Sequence, residues 1–180
     1  MHFAALDQYV TIQDYLQGRR CVITGSGGTI GRTFAEFIAS CGGIPILVDV
    51  APQAETEAAV TAHGANYSAH QVDISDVGAI EAFYKNVAER HGGVDMLINN
   101  AGLLSEVSLL DMTEDDWDRV LDVNAKGAVF MSQGAVRLMQ DGEGDRQIVN
   151  VVSLAALVGG LYVGAPYVCR KAAMLGLNRN

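Results

Sequence analysis

Two residues near the end of the sequence, Tyr167 and Lys171, have the types and the spacing to move a proton. Four apart on a helix, they project from one face. An ammonium beside a phenol favours the phenolate, which lowers the tyrosine pKa toward a range useful to a general base. Most Y-x-x-x-K pairs are surface neighbours, so the spacing needs support from elsewhere. Tyr162 is a rival tyrosine, but four residues beyond it stands Pro166, which has no charge to offer. Ser153 closes the apolar run "RQIVNVVS", a place from which its hydroxyl reaches the same site as Tyr167.

A second stretch that can do chemistry is "TGSGGTIG", Thr24 to Gly31. Glycines between a strand and a helix let the backbone turn tightly and approach a pyrophosphate, which the free N–H groups and dipole of the helix N-terminus then stabilise. The plain G-x-G-x-x-G pattern fails here, because from Gly25 and Gly27 its third glycine falls on Ile30. Alone, such glycines also serve as ordinary turn residues. Asp49 adds weight. It lies 18 residues beyond Gly31, where an acid accepts bonds from both hydroxyls of an adenosine ribose and repels a 2′-phosphate. Neither "VAPQ" after it nor Gly28 supplies a basic side chain, so NAD is expected over NADP. The competing reading is a solvated acid at a strand end.

These residues need elements to position them. "RCVITG", "GGIPILVDV", "NYSAHQVDIS", "VDMLINNAG" and "RQIVNVVS" read as strands. Between them, Ile30, Phe34, Phe37, Ile38 and Cys41 fall on one helical face. "QAETEAAVTAHG" is a short helix closed by Gly64. Ser75 is the expected N-cap of a helix through Ile80, Phe83, Tyr84 and Val87, closed by Gly92 and Gly93. Thr113 with Asp116 opens a longer helix through Trp117, Val120, Leu121 and Asn124 in the manner of a capping box, and a last helix begins near Tyr167. Strands alternating with amphipathic helices predict an α/β domain with a parallel sheet covered on both faces. Residues 1–18 read as a lead-in and 19–180 as the domain. Ligands in such a sheet bind at the carboxyl ends of the strands, where the glycines, the asparagines, Asp49, Asp73 and Ser153 all fall.

Composition narrows the class. With 49% apolar and 18% charged residues in 180, the chain is core-forming and long enough for one domain. A balance of 12 basic against 21 acidic residues, formal charge -9, argues against nucleic-acid and anionic-membrane surfaces. Cys21, Cys41 and Cys169 match no zinc or disulfide pattern and are expected as buried thiols in a reducing compartment. No metal centre is expected. No secretory signal or membrane-length apolar run is visible, so a cytoplasmic protein is expected.

Taken in order, the glycine turn, the acid after the second strand, "NNAG", a helix asparagine, a serine after a strand and Y-x-x-x-K resemble the short-chain dehydrogenase/reductase family, in its one-domain branch, over roughly residues 17–180. The resemblance implies a Rossmann-type doubly wound parallel sheet and an NAD-dependent oxidoreductase that interconverts a secondary alcohol and a ketone. It implies that Gly25, Ser26, Gly28, Thr29, Ile30 and Gly31 hold the pyrophosphate, Asp49 the ribose, and Asp73 with Ile74 the adenine. Asn99 would brace the sheet, Asn100, Ala101 and Gly102 would line the nucleotide groove, and Asn124 would hold a water on the proton path. Ser153 would position the substrate oxygen and Tyr167 exchange its proton. Lys171 would bind the nicotinamide ribose and act on Tyr167. A dimer or tetramer is the family habit.

Two departures stand out. The family motif usually has glycine where this chain has Thr29, so a Cβ comes near the expected pyrophosphate. Family members also continue past the Tyr/Lys helix into a sixth strand, a substrate-covering loop with its helix, and a seventh strand, whereas this sequence reaches only Asn180. The fold is therefore expected to lack the family's last strands, leaving the fifth strand as an unpaired edge. An alternative reading follows: a truncated or degenerate dinucleotide-binding paralogue without turnover on its own. An epimerase or dehydratase of the extended branch fits less well, because "NNAG" belongs with the one-domain branch.

Overall fold

The computed structural model describes residues 11–140, 142, 144–159 and 164–178. Strands β1 (Arg20–Thr24), β2 (Ile44–Asp49), β3 (Ser68–Gln71), β4 (Met96–Asn99) and β5 (Gln147–Asn150) form one parallel sheet in the order β3-β2-β1-β4-β5. The chain runs outward from β1 to β3, then crosses back to set β4 on the other side of β1. That reversal opens a crevice at the carboxyl ends of β1 and β4, the usual ligand seat of a doubly wound sheet.

Helices α1 (Ile12–Leu16), α2 (Thr29–Ser40), α3 (Ala54–Ala62), α4 (Val77–His91), α5 (Glu114–Leu121), α6 (Gly127–Met139), α7 (Ala155–Val158) and α8 (Ala165–Leu177) complete the described fold. Strand alternation divides the core. Val22, Ile46, Val48 and Leu97 point to one face, against Ile80, Phe83, Tyr84 and Val87 of α4 and Met131, Ala135 and Met139 of α6. Cys21, Ile23, Leu47, Met96 and Ile98 point to the other, against Ala35, Ile38 and Ala39 of α2 and Val60 of α3. Both faces of the central strands are buried, so their sequences read as unbroken apolar runs.

Several expectations need correction. Ile30 and Phe37 do not pack into the core; they are 59% and 45% exposed. The buried face of α2 is Gly31, Ala35, Ile38 and Ala39, whose small side chains let the helix lie close to the sheet. The cap of α4 is Asp76, which accepts from the Gly78 N–H at 2.8 Å, while Ser75 donates its hydroxyl to Asp73 instead. Cys21 and Cys41 are buried free thiols, but Cys169 is exposed. Burial pushes the Cys21 thiol up to about 12, with the charge of Asp95 adding to the effect.

The expected closing glycine of α4 and the capping box of α5 hold. Gly92 closes α4 in the left-handed conformation at φ 72°. Thr113 and Asp116 form a reciprocal capping box at the start of α5. From there helix runs on without a break into α6, through a wider turn at Asp122–Lys126 in which the Gly127 N–H donates to the Asp122 carbonyl five residues back. At the opposite edge of the sheet β5 pairs with β4 alone among the described strands, and Val149 and Val152 stay partly open. Ahead of β1, α1 tucks Leu16 into the core. Tyr162 lies outside the described residues. No described helix is long and apolar enough to cross a membrane. Nor do the described residues hold a group of three metal-ligating side chains.

Candidate functional site

The turn from β1 into α2 is built by two glycines that the fold itself requires. Gly25 sits at φ +66°, and a Cβ there would lie 2.7 Å from the Ala101 Cα. A Cβ on Gly31 would lie 2.1 Å from the Gly25 carbonyl oxygen. Gly28 differs: a Cβ there would meet only that same oxygen, at 3.6 Å. The backbone around Gly28 is therefore open toward the cleft, a cradle that a larger ligand can approach. Gly28 is also the N-cap of α2 and offers no side chain to its first N–H groups. Those donors are left for a ligand, with the positive end of the helix dipole behind them. Thr29, the first residue of α2, is exposed and lines the same cleft with Ile30 and Gly31.

The cleft has a volume of about 950 Å³, in the upper range for small-molecule sites. Asp49, at the end of β2, stands on its wall and accepts from the Gly27 N–H at 2.9 Å and the Ala51 N–H at 3.0 Å. An ionised carboxylate has about four lone-pair sites, so capacity remains for two ribose hydroxyls. Asp73 and Ile74 line the same wall. Asp73 accepts from the Ser75 N–H and hydroxyl, and Ile74 packs onto Gly127, where a Cβ would lie 2.8 Å from the Ile74 carbonyl oxygen.

Across the cleft, Asn100, Ala101 and Gly102 form the opposite lip. The Thr24 hydroxyl accepts from the N–H groups of Asn100 and Ala101, both at 3.0 Å, and the Asn100 side chain donates to the Thr24 and Gly25 carbonyls. These bonds clamp the ends of β1 and β4 together. Asn99 is buried, donating to Asn150 of β5 and to Ser132 of α6, and so braces the sheet. Asn124, in the wide turn after α5, is buried: it accepts from the Leu103 N–H at 2.9 Å and donates to the Leu103 and Val120 carbonyls. It thereby pins the segment that leaves "NNAG".

The remaining residues do not line the cleft. Ser26 does not face the cleft; it is fully buried, with its hydroxyl bonded to Gln53 and its carbonyl accepting from Thr56. Ser153, just after β5, accepts from the Ala155 N–H at 3.2 Å in the turn that starts α7. Tyr167 is half-buried in the first turn of α8. Lys171 is buried and donates through Nζ to the Val151 carbonyl, with Met174 Sδ at 3.8 Å. Burial, reinforced by neighbouring Arg170, brings its pKa down to about 8. Instead, the cation lying over the Tyr167 ring is Arg170, whose guanidinium carbon is 4.1 Å from the ring centroid.

Sequence reasoning missed Arg170, Thr24, Gln53 and Arg119, a cation that lines the cleft. Only Arg170 carried a signal, as a second cation inside the Y-x-x-x-K span.

Fold and cleft together define a doubly wound α/β protein of the dinucleotide-binding kind. The pattern of the short chain dehydrogenase family matches residues 19–180, and the chain belongs to that family, an oxidoreductase family. The chain is 32% identical over 165 residues to a 2-dehydro-3-deoxy-D-gluconate 5-dehydrogenase of Dickeya dadantii, covering 91% of this chain and 64% of that one. With a meso-2,3-butanediol dehydrogenase of Serratia marcescens the identity is 35% over 158 residues, covering 88% and 62%. Among solved structures, an NAD+-bound xylitol dehydrogenase superposes with a TM-score of 0.83 at 30% identity, over 90% of this chain and 63% of its own. The chain thus spans less than two thirds of the length of these relatives.

Proposed function

We propose that this chain carries the cofactor-binding and proton-transfer residues of an NAD-dependent oxidoreductase that interconverts a secondary alcohol and a ketone. The observation that carries the reading is the cleft itself, with the cradle at Gly28, the uncapped start of α2 and Asp49 on one continuous wall. That set suits a diphosphate beside a ribose with free hydroxyls, and the carboxylate disfavours a 2′-phosphate. NAD, when bound, supplies the hydride chemistry at its nicotinamide.

The chain's own residues do the rest. Thr29, Ile30 and Gly31 present backbone donors to the diphosphate across the open backbone at Gly28, and Asp49 accepts from the ribose. Asp73 and Ile74 border the adenine. Asn100, Ala101 and Gly102 form the lip that directs the nicotinamide end toward α8. In oxidation Tyr167 takes the alcohol proton as general base; in reduction it returns a proton to the carbonyl oxygen. Ser153 donates to the same oxygen and, with Tyr167, stabilises charge that develops there. Lys171, its pKa brought down to about 8, reaches the nicotinamide ribose and, through the Val151 carbonyl, ties α8 to the end of β5. Asn124 fixes the Leu103 segment between cleft and α8 and holds the water of the proton path. The named relatives are dehydrogenases of a sugar acid, a vicinal diol and a polyol, which favours small hydroxylated molecules as the substrate class.

A second reading, a dinucleotide-binding chain without turnover, draws on one observation: Lys171 Nζ is bonded to the Val151 carbonyl and does not line the cleft. A diol and hexitol panel followed by NADH absorbance separates the two. Turnover that falls by about 10²–10⁴-fold in Tyr167→Phe is expected. Turnover unchanged in that variant sinks the role given to Tyr167, and NADH binding with no turnover at all favours the second reading.

A further inference from the structure

Arg170 is 3% exposed, a position where arginine is rare unless paired. No acid pairs with it among the described residues, and its Nε and Nη1 have no hydrogen-bond partner there. The guanidinium instead lies over the Tyr167 ring, its carbon 4.1 Å from the ring centroid. On its other side it abuts the "NNAG" segment and Asn124: a Cβ built on Gly102 would fall 2.5 Å from Arg170 Nη1 and 2.8 Å from Asn124 Oδ1. Burial lowers the Arg170 pKa, and the Tyr167 side chain opposes that shift. A buried, unpaired cation is costly to a fold, so its place between the tyrosine and the cleft lip calls for an explanation. Lys171, the cation the motif supplies, is turned to the Val151 carbonyl.

We propose that Arg170 is a positioning residue for Tyr167: its guanidinium plate, wedged between the ring and the Gly102–Asn124 wall, fixes the ring plane and steadies negative charge on the phenol oxygen during proton transfer. A cation over an aromatic face suits this geometry, because the ring quadrupole attracts it, and arginine keeps its charge at any working pH. Lysine keeps the charge but lacks the plate. The inference rests on the reading of Tyr167 as the proton-transfer residue.

The test compares the full chain with Arg170→Met and Arg170→Lys. Methionine fills a similar volume without charge, and replacing a buried unpaired cation by an apolar side chain favours folding. With a 2,3-diol as substrate, kcat is expected to fall about tenfold in Arg170→Met and by less in Arg170→Lys, the scale of a desolvated cation–π contact. KM and the NADH dissociation constant should stay within about twofold, because Arg170 does not line the cleft. A kcat equal to the parent's in Arg170→Met overturns the inference. If the parent binds NADH but turns nothing over, the functional reading fails on its own account, and tyrosine-ring 13C resonances decide the role of Arg170. The Tyr167 signals, identified by their loss in Tyr167→Phe, should move in Arg170→Met; unmoved signals would refute the contact.

Discussion

Gly31 marks the tightest point of the glycine turn, because any Cβ there would press on the Gly25 carbonyl at 2.1 Å, a backbone atom that cannot swing away. Gly31→Ala should therefore cost about 1–3 kcal/mol of stability, the usual range for overpacking a close-fitted site, read as a lower urea midpoint. An unshifted midpoint would mean that the turn relaxes around the methyl. Gly25 and Gly31 were legible in the sequence because a strand-to-helix turn admits little else. Asp49 was legible because its position follows from strand length. Ser26 was not: whether a turn hydroxyl faces a ligand or the core depends on what packs behind it, here Gln53 and Thr56 from the β2–α3 connection and α3. Arg170 was hidden for a similar reason. Its sequence position is open to reading, but its burial comes from α8 packing on the wide turn and on α5.

The elements carry a pH dependence that lies away from the cleft. The Ser68 hydroxyl in β3 bridges two imidazoles, 2.9 Å from His70 Nε2 and 2.9 Å from His91 Nε2 at the end of α4. One hydroxyl can donate to only one ring, so the other imidazole must act as the donor. Burial, then the nearby charge of Arg90, holds both imidazoles below the ordinary histidine pKa. The unfolded chain therefore takes up protons first as pH falls. Stability from this cluster is fully present above about pH 6.5, the unfolded value, and is lost as pH drops toward the lower folded pKa values. Urea midpoints should fall between pH 7.5 and pH 5.5, and His91→Gln should flatten that slope. A slope identical in His91→Gln would contradict the assignment. Helix periodicity disclosed α4 and its glycine stop, yet the wide turn at Asp122–Lys126 has no mark in the sequence. It arises where Asn124 reaches back to Leu103 and the Val120 carbonyl, a tertiary demand on the helix.

At the scale of the molecule, sheet order follows from chain logic: strands alternating with helices give parallel neighbours, and crossing back beside β1 creates the crevice. Among the described strands β5 pairs with β4 alone, and Leu154, Leu157 and Val158 beyond it are exposed. Every part of the proposed function depends on the crevice accepting a dinucleotide whose ribose carries free hydroxyls. Paired titrations of the chain with NADH and NADPH, followed by cofactor and Trp117 fluorescence, test this most directly. Saturable NADH binding, NADPH weaker by about tenfold or more, and loss of that preference in Asp49→Ala are the predicted results. No binding of either nucleotide at millimolar concentration, or tighter binding of NADPH, would contradict the account.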